Sequence, residues 1–260
     1  MSEKRNPHQA LREHYDFIKE KIPEENIIGI FLYGSQNYGI ETASSDVDSR
    51  VLYVPTLDEI IHEKTAPMNK EYSFGDNEKI CLVDIRNFLH FAATNISWFE
   101  TLITDYKILN YNYYATAWSL SFGKLEIQKE LFYHCKNYLI SSAGHMGRKY
   151  CDIARRDKSG KSFANALRCY FFNCAVVNNK DIKYCFTLNE SKRNILKGFK
   201  EMSSEEYLLC KIKEDGLYDC FSYFIDYSDT KPKLSSIESY NFLDGFVKEF
   251  FKIAYAKELK

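Results

Sequence analysis

The sequence predicts an α+β protein in two parts, an α/β half over residues 1–115 and a helical half over 116–260. Three patterns carry that expectation. Ile27-Ile28-Gly29-Ile30-Phe31-Leu32-Tyr33 is a nearly unbroken apolar run, as a strand buried on both faces requires. Two shorter β-type stretches follow, near 47–54 and 79–83. Past about residue 124 the apolar spacing changes to the three-and-four step of helices.

Taken in order, Leu11, Tyr15, Ile18 and Ile22 predict an N-terminal helix ending near Pro23. The first strand then ends at a turn over Ser35–Gly39, and 57–63 reads as a short helix between the second and third strands. Ile85, Phe88, Leu89, Ala92 and Ile96 continue the third strand as a helix, for which Asp84 is a good N-cap. The helical half shows Leu131, Cys135, Tyr138, Leu139 and Ser142, then Phe163, Ala166, Leu167, Tyr170, Phe171 and Cys174. Phe242, Phe246, Phe250 and Ile253 give a last helix. No linker rich in Pro, Gly or Ser divides the halves, so they are expected to pack together and form a cleft between them.

The chemistry concentrates at residues 34–48. Gly34 lets the backbone approach a ligand closely, and Ser35 offers an amide and a hydroxyl to a phosphate oxygen. If Ser35 opens a short helix, its free N–H groups face the same anion. Asp46 and Asp48 lead into Val51-Leu52-Tyr53-Val54, and strand alternation puts both carboxylates on one face, where they can share a metal. Two oxygen-ligated divalent ions, Mg2+ by default and Mn2+ as an alternative, suit attack of a hydroxyl on a nucleotide α-phosphate. The pattern points to nucleotidyl transfer.

The segment Gly34 to Pro55 resembles the DNA polymerase beta-type nucleotidyltransferase superfamily, and more narrowly the RNA-repair-pathway DNA polymerase beta-like nucleotidyltransferases. There a Gly-Ser turn with a following aromatic-Gly leads to Ser-Asp-x-Asp, an arginine two residues on and an aliphatic strand ending in proline. Here these are Gly34, Ser35, Tyr38, Gly39, Ser45, Asp46, Asp48, Arg50 and Pro55. Val83–Asn87, Asn95–Glu100, His145–Tyr150 and Lys161–Arg168 extend the likeness, which runs from about residue 28 to about residue 200. Ser49, Asn87 and Ile96 depart from the usual residues.

The resemblance implies a polymerase-beta-like palm, a short mixed sheet with helices, followed by a helical domain that contacts substrate. It also implies nucleotide contacts at Gly34, Ser35, Tyr38, Gly39, Ser45, Arg50, Lys161 and Arg168, with Asp46 and Asp48 as catalytic metal ligands. A third metal carboxylate is expected on the 79–83 strand: Asp84 matches a family aspartate by position, and Glu78 shares its parity. In many members that carboxylate stands near the start of the strand, where this chain has Lys79. Tyr38 either stacks on the base or closes the turn.

Composition narrows the remaining classes. With 260 residues, 45% of them apolar, the chain can bury a sizeable core. It has no apolar run of the roughly 18 residues needed to span a bilayer, and the charged N-terminal segment is unlike a secretory signal, so a cytoplasmic enzyme without membrane contact is expected. Eight cysteines stand singly without a Cys-x-x-Cys pair, which predicts reduced and mostly buried thiols. The histidines form no zinc-ligand motif, and no Gly-x-Ser-x-Gly elbow occurs.

A net charge of −1 confines any nucleic-acid contact to a local patch, and Arg148, Lys149, Arg155, Arg156, Lys158 and Lys161 provide one. The expected activity is transfer of a nucleoside monophosphate from a nucleoside triphosphate to a hydroxyl, foremost an RNA 3′ end. Nucleotidylylation of a protein and a non-catalytic binding module are the alternatives.

Overall fold

The computed structural model describes residues 5–43, 45–62, 70–204, 206 and 238–256. Helix α1 (Pro7–Lys19) starts where Asn6 accepts hydrogen bonds from the His8 and Gln9 amides and Pro7 presets the first turn. It stops a few residues before Pro23. Strand β1 (Ile27–Tyr33) is buried through its first six residues, as its apolar run predicts. Strand β2 (Asp48–Tyr53) follows, then the short helix α2 (Leu57–Ile61) with a reciprocal Thr56/Glu59 cap.

Strands β3 (Lys70–Phe74) and β4 (Glu78–Asp84) form a hairpin, and a three-residue β5 (Lys107–Leu109) completes the sheet. Its order is β3-β4-β2-β1-β5, with β2 and β4 parallel and the other pairs antiparallel, so the sheet is mixed. The sequence pattern does not reveal β3, whose residues are partly or fully exposed, or β5, which is very short.

Two helices replace the one expected after β4. Asp84 caps α3 (Ile85–Thr94) by accepting from the Arg86 amide, and Asn95 ends that helix and caps α4 (Ile96–Ile103). After α5 (Ala115–Leu120), helix α6 (Leu125–Asp157) runs 33 residues and ends at Lys158 in the left-handed conformation. Ser159 caps α7 (Gly160–Val177), and α8 (Ile182–Phe186) and α9 (Glu190–Glu201) follow. A final helix, α10 (Glu238–Tyr255), brings Phe250 against Tyr114, Trp118 and Phe122. The side chains of Phe242 and Phe246, together with Glu63, Cys210 and Cys220, lie outside the described residues.

The sheet separates two apolar layers. Ile30, Leu32, Val51, Ile80 and Leu82 pack with α1 on one face. Phe31, Leu52, Cys81 and Val83 on the other join a larger cluster that continues through Leu139 of α6 and Phe163 of α7. The described cysteines are free, and all except half-buried Cys174 are buried. Among the described residues no helix is long and apolar enough to cross a membrane.

Candidate nucleotide and metal site

At the end of β1 the chain turns at Gly34, whose φ of +83° only glycine adopts without strain, into a 3-10 turn over Ser35–Tyr38. Asp48 opens β2 opposite Tyr33, the last residue of β1. Val47 is buried in the layer beneath α1, so Asp46 and Asp48 on either side of it face the opposite way, toward the helices. There Gly34, Ser35, Tyr38, Ser45, Asp46 and Asp48 form one wall of a cleft of about 340 Å3. Lys161, Asn165 and Arg168 of α7 and Lys200 of α9 line the same cleft. Residues the sequence places far apart are thus brought together.

The electrostatics of the two walls are complementary. Burial, and then the charge of Asp46, push the Asp48 carboxyl up to about 6, partly offset by a 3.1 Å hydrogen bond from the Lys79 amide. Across the cleft, burial and the nearby charge of Lys161 lower the Lys200 ammonium, which donates to Ser45 Oγ at 2.8 Å. A cation is favoured on one side and an anion on the other. Lys200 does not stand out in the sequence, because α9 buries only Leu196 and Phe199 and its lysines look like a solvated face.

Arg168 forms the floor of the cleft. Burial alone would lower it, but Glu100 beside it holds it above the usual arginine range, and the two are hydrogen-bonded. The Arg168 Nε is buried and has no hydrogen-bond partner among the described residues. Tyr38 donates its hydroxyl to Glu100, and Arg168 lies 4.2 Å from its ring centroid. Tyr38 also lines the cleft, so its ring stands at the ligand side of this network.

Three expectations change. Arg50 is not a nucleotide contact: its guanidinium is buried between the rings of Tyr33 and Trp98, at 4.3 and 3.8 Å, and bonds the Ser97 carbonyl at 2.6 Å. Gly39 lies outside the cleft, in a separate surface hollow with Gln36 and Glu41, and serves the backbone of the turn.

Asp84 does not stand beside Asp46 and Asp48. It pairs with Tyr53 in the β2–β4 register, five residues beyond the level of Asp48, or about 16 Å along the strand. It is occupied by the Arg86 amide at 2.8 Å and the Arg86 guanidinium at 2.5 Å. The alternative, Glu78, faces α1, where it accepts from His14 Nε2 at 3.0 Å and Arg5 Nε at 2.9 Å. His14 also bonds Ser49, whose alternation with Asp48 fixes that face as the opposite one. The residue of β4 beside Asp48 on the cleft side is Lys79, which pairs with Glu71 of β3 at 2.8 Å. Among the described residues no three His, Cys, Asp or Glu side chains cluster to hold a metal.

The basic patch expected on α6 divides. Lys161 lines the cleft, whereas Lys149 is exposed and Arg156 is engaged by Asp157 at 2.7 Å. No protein-family model matches the chain, and no curated protein matches it.

Proposed function

We propose that the protein is a nucleotidyltransferase of the polymerase-beta type, which moves a nucleoside monophosphate from a nucleoside triphosphate to a hydroxyl with release of pyrophosphate. The observation that carries this reading is the facing of Asp46, Asp48 and Ser35 by Lys161, Lys200 and Arg168 across one cleft. The triphosphate lies between these walls. Ser35 and the lysines hold its terminal phosphates, and the Arg168 guanidinium adds positive charge at the floor.

Asp46 and Asp48 suit Mg2+ or Mn2+, since both are hard oxygen donors and a divalent ion would offset the burial and the repulsion that raise Asp48. Held there, such ions would supply activation of the attacking hydroxyl and neutralisation of charge on the departing pyrophosphate. With Asp84 and Glu78 engaged elsewhere, Asp46 and Asp48 are the carboxylates that would hold the ions. The acceptor we propose is an RNA 3′ end, by resemblance to the RNA-repair-pathway members.

Incubating the protein with labelled nucleoside triphosphates, Mg2+ and total RNA tests this. RNA should become labelled, and as the pH falls toward about 6, where Asp48 without an ion takes up a proton, more Mg2+ should be needed to reach the same labelling. Asp46→Asn and Asp48→Asn should each abolish labelling. Unchanged turnover in either folded variant overturns the mechanism, and label that stays with polypeptide after nuclease replaces RNA with a protein acceptor.

A further inference from the structure

Helix α9 continues the basic wall of the cleft outward. Arg193, Lys197 and Lys200 stand at i, i+4 and i+7, so they share one face. That face follows the loop between the 3-10 turn and β2. The Arg193 side chain packs against Gly39, Lys197 Nζ is 3.9 Å from Glu41, and Lys200 Nζ reaches Ser45 at the cleft mouth. At the far end, Lys192 lies 5.8 Å from the ring of Tyr184, an aromatic side chain 49% exposed, and Lys180 lies 5.5 Å from the same ring. Charge therefore runs outward from the cleft along about 12 Å of helix, and round the helix from Arg193 the neighbouring Lys192 stands beside an exposed ring flanked by cations.

We propose that this face of α9 is the track that holds a single-stranded RNA acceptor, with Arg193 and Lys197 on successive phosphates and Tyr184 stacking on a base. The inference rests on the nucleotidyl-transfer reading for its direction, since a strand lying on the track leads its end to Asp46 and Asp48. Its chemistry is that of sequence-tolerant single-strand binding, in which cations follow the backbone and an aromatic face takes a base. The basic residues of α6 make a poorer track, because none of Arg148, Lys149, Arg155 and Arg156 lines the cleft and Arg156 is bonded to Asp157.

The test is fluorescence anisotropy of a labelled single-stranded RNA about 12 nucleotides long, within the span such folds cover, over a range of salt. Arg193→Glu with Lys197→Glu should weaken binding at least roughly tenfold and flatten the salt slope by about 1.4, since each phosphate left without its cation takes away roughly 0.7. Tyr184→Ala should weaken it severalfold, and nucleoside triphosphate binding should not change. The milder pair Arg193→Gln and Lys197→Gln should give the same ranking with less risk to folding. Unaltered RNA affinity in these variants, absence of RNA binding by the parent protein, or an equal loss from charge reversal at Lys149 and Arg156 overturns the track. RNA bound along α9 but never labelled faults the transfer reading alone, whereas label on another acceptor without RNA binding faults the track alone.

Discussion

Asp84 and Glu78 share a face of β4, as their spacing requires, and that face looks toward α1 and away from Asp48. Parity was legible in the sequence. The register of β4 against β2, which puts Lys79 beside Asp48, was not, since it depends on pairing between strands more than 20 residues apart. The same limit applies to Arg50. Its motif position suggested a ligand contact, but a guanidinium between two rings, bonded to Ser97 and Thr101, is a packing element that orders the strand after Asp48. Asp84→Ser should therefore keep full transfer activity, because serine caps α3 nearly as well as aspartate, and Glu78→Gln should keep it too. Loss of turnover in Asp84→Ser without loss of α3 would restore Asp84 as a metal ligand. Steady-state kinetics and circular dichroism decide the point.

At the scale of elements, the strong periodic segments and the Gly-Ser turn were readable, while the helix that completes the cleft was not. Helix α9 buries Leu196 and Phe199 and packs along α7, most closely where α7 begins against the end of α9. A Cβ on Gly160 would collide with the Phe199 carbonyl oxygen, so only glycine permits this spacing. Phe163 meets the Phe199 ring edge-on at 4.7 Å in the same contact. The two lysines opposite Asp46 and Asp48 sit one residue past Gly160 and one past Phe199. Gly160→Ala should push α9 outward, destabilise the protein by about 1–3 kcal/mol as overpacking does, and raise the KM for nucleoside triphosphate. Thermal melts with and without nucleotide, together with steady-state kinetics, measure both effects. An unchanged KM would mean that Lys200 does not contribute to the cleft.

The whole molecule depends on how the halves are joined. The lack of a flexible linker predicted that they pack together, and apolar residues of both form a common cluster with a buried polar network beside it. Tyr38 from the turn, Glu100 from α4 and Arg168 from α7 meet there, with Glu100 accepting from both partners. The sequence marked Tyr38 and Arg168 as ligand contacts and placed Glu100 within the Asn95–Glu100 likeness, without showing that the three touch. A buried ion pair adds little net stability, because desolvation offsets the attraction, but removing one partner strands the other charge. Glu100→Gln should therefore destabilise by about 3–5 kcal/mol and loosen the floor of the cleft. Adding Arg168→Met should recover much of that stability, since no buried charge is left unpaired, while transfer stays low without the Arg168 charge. Urea denaturation of the two single variants and the double variant measures the coupling. Additive losses in the double variant would show that the pair does not act as a unit, and full activity there would exclude Arg168 from phosphate binding.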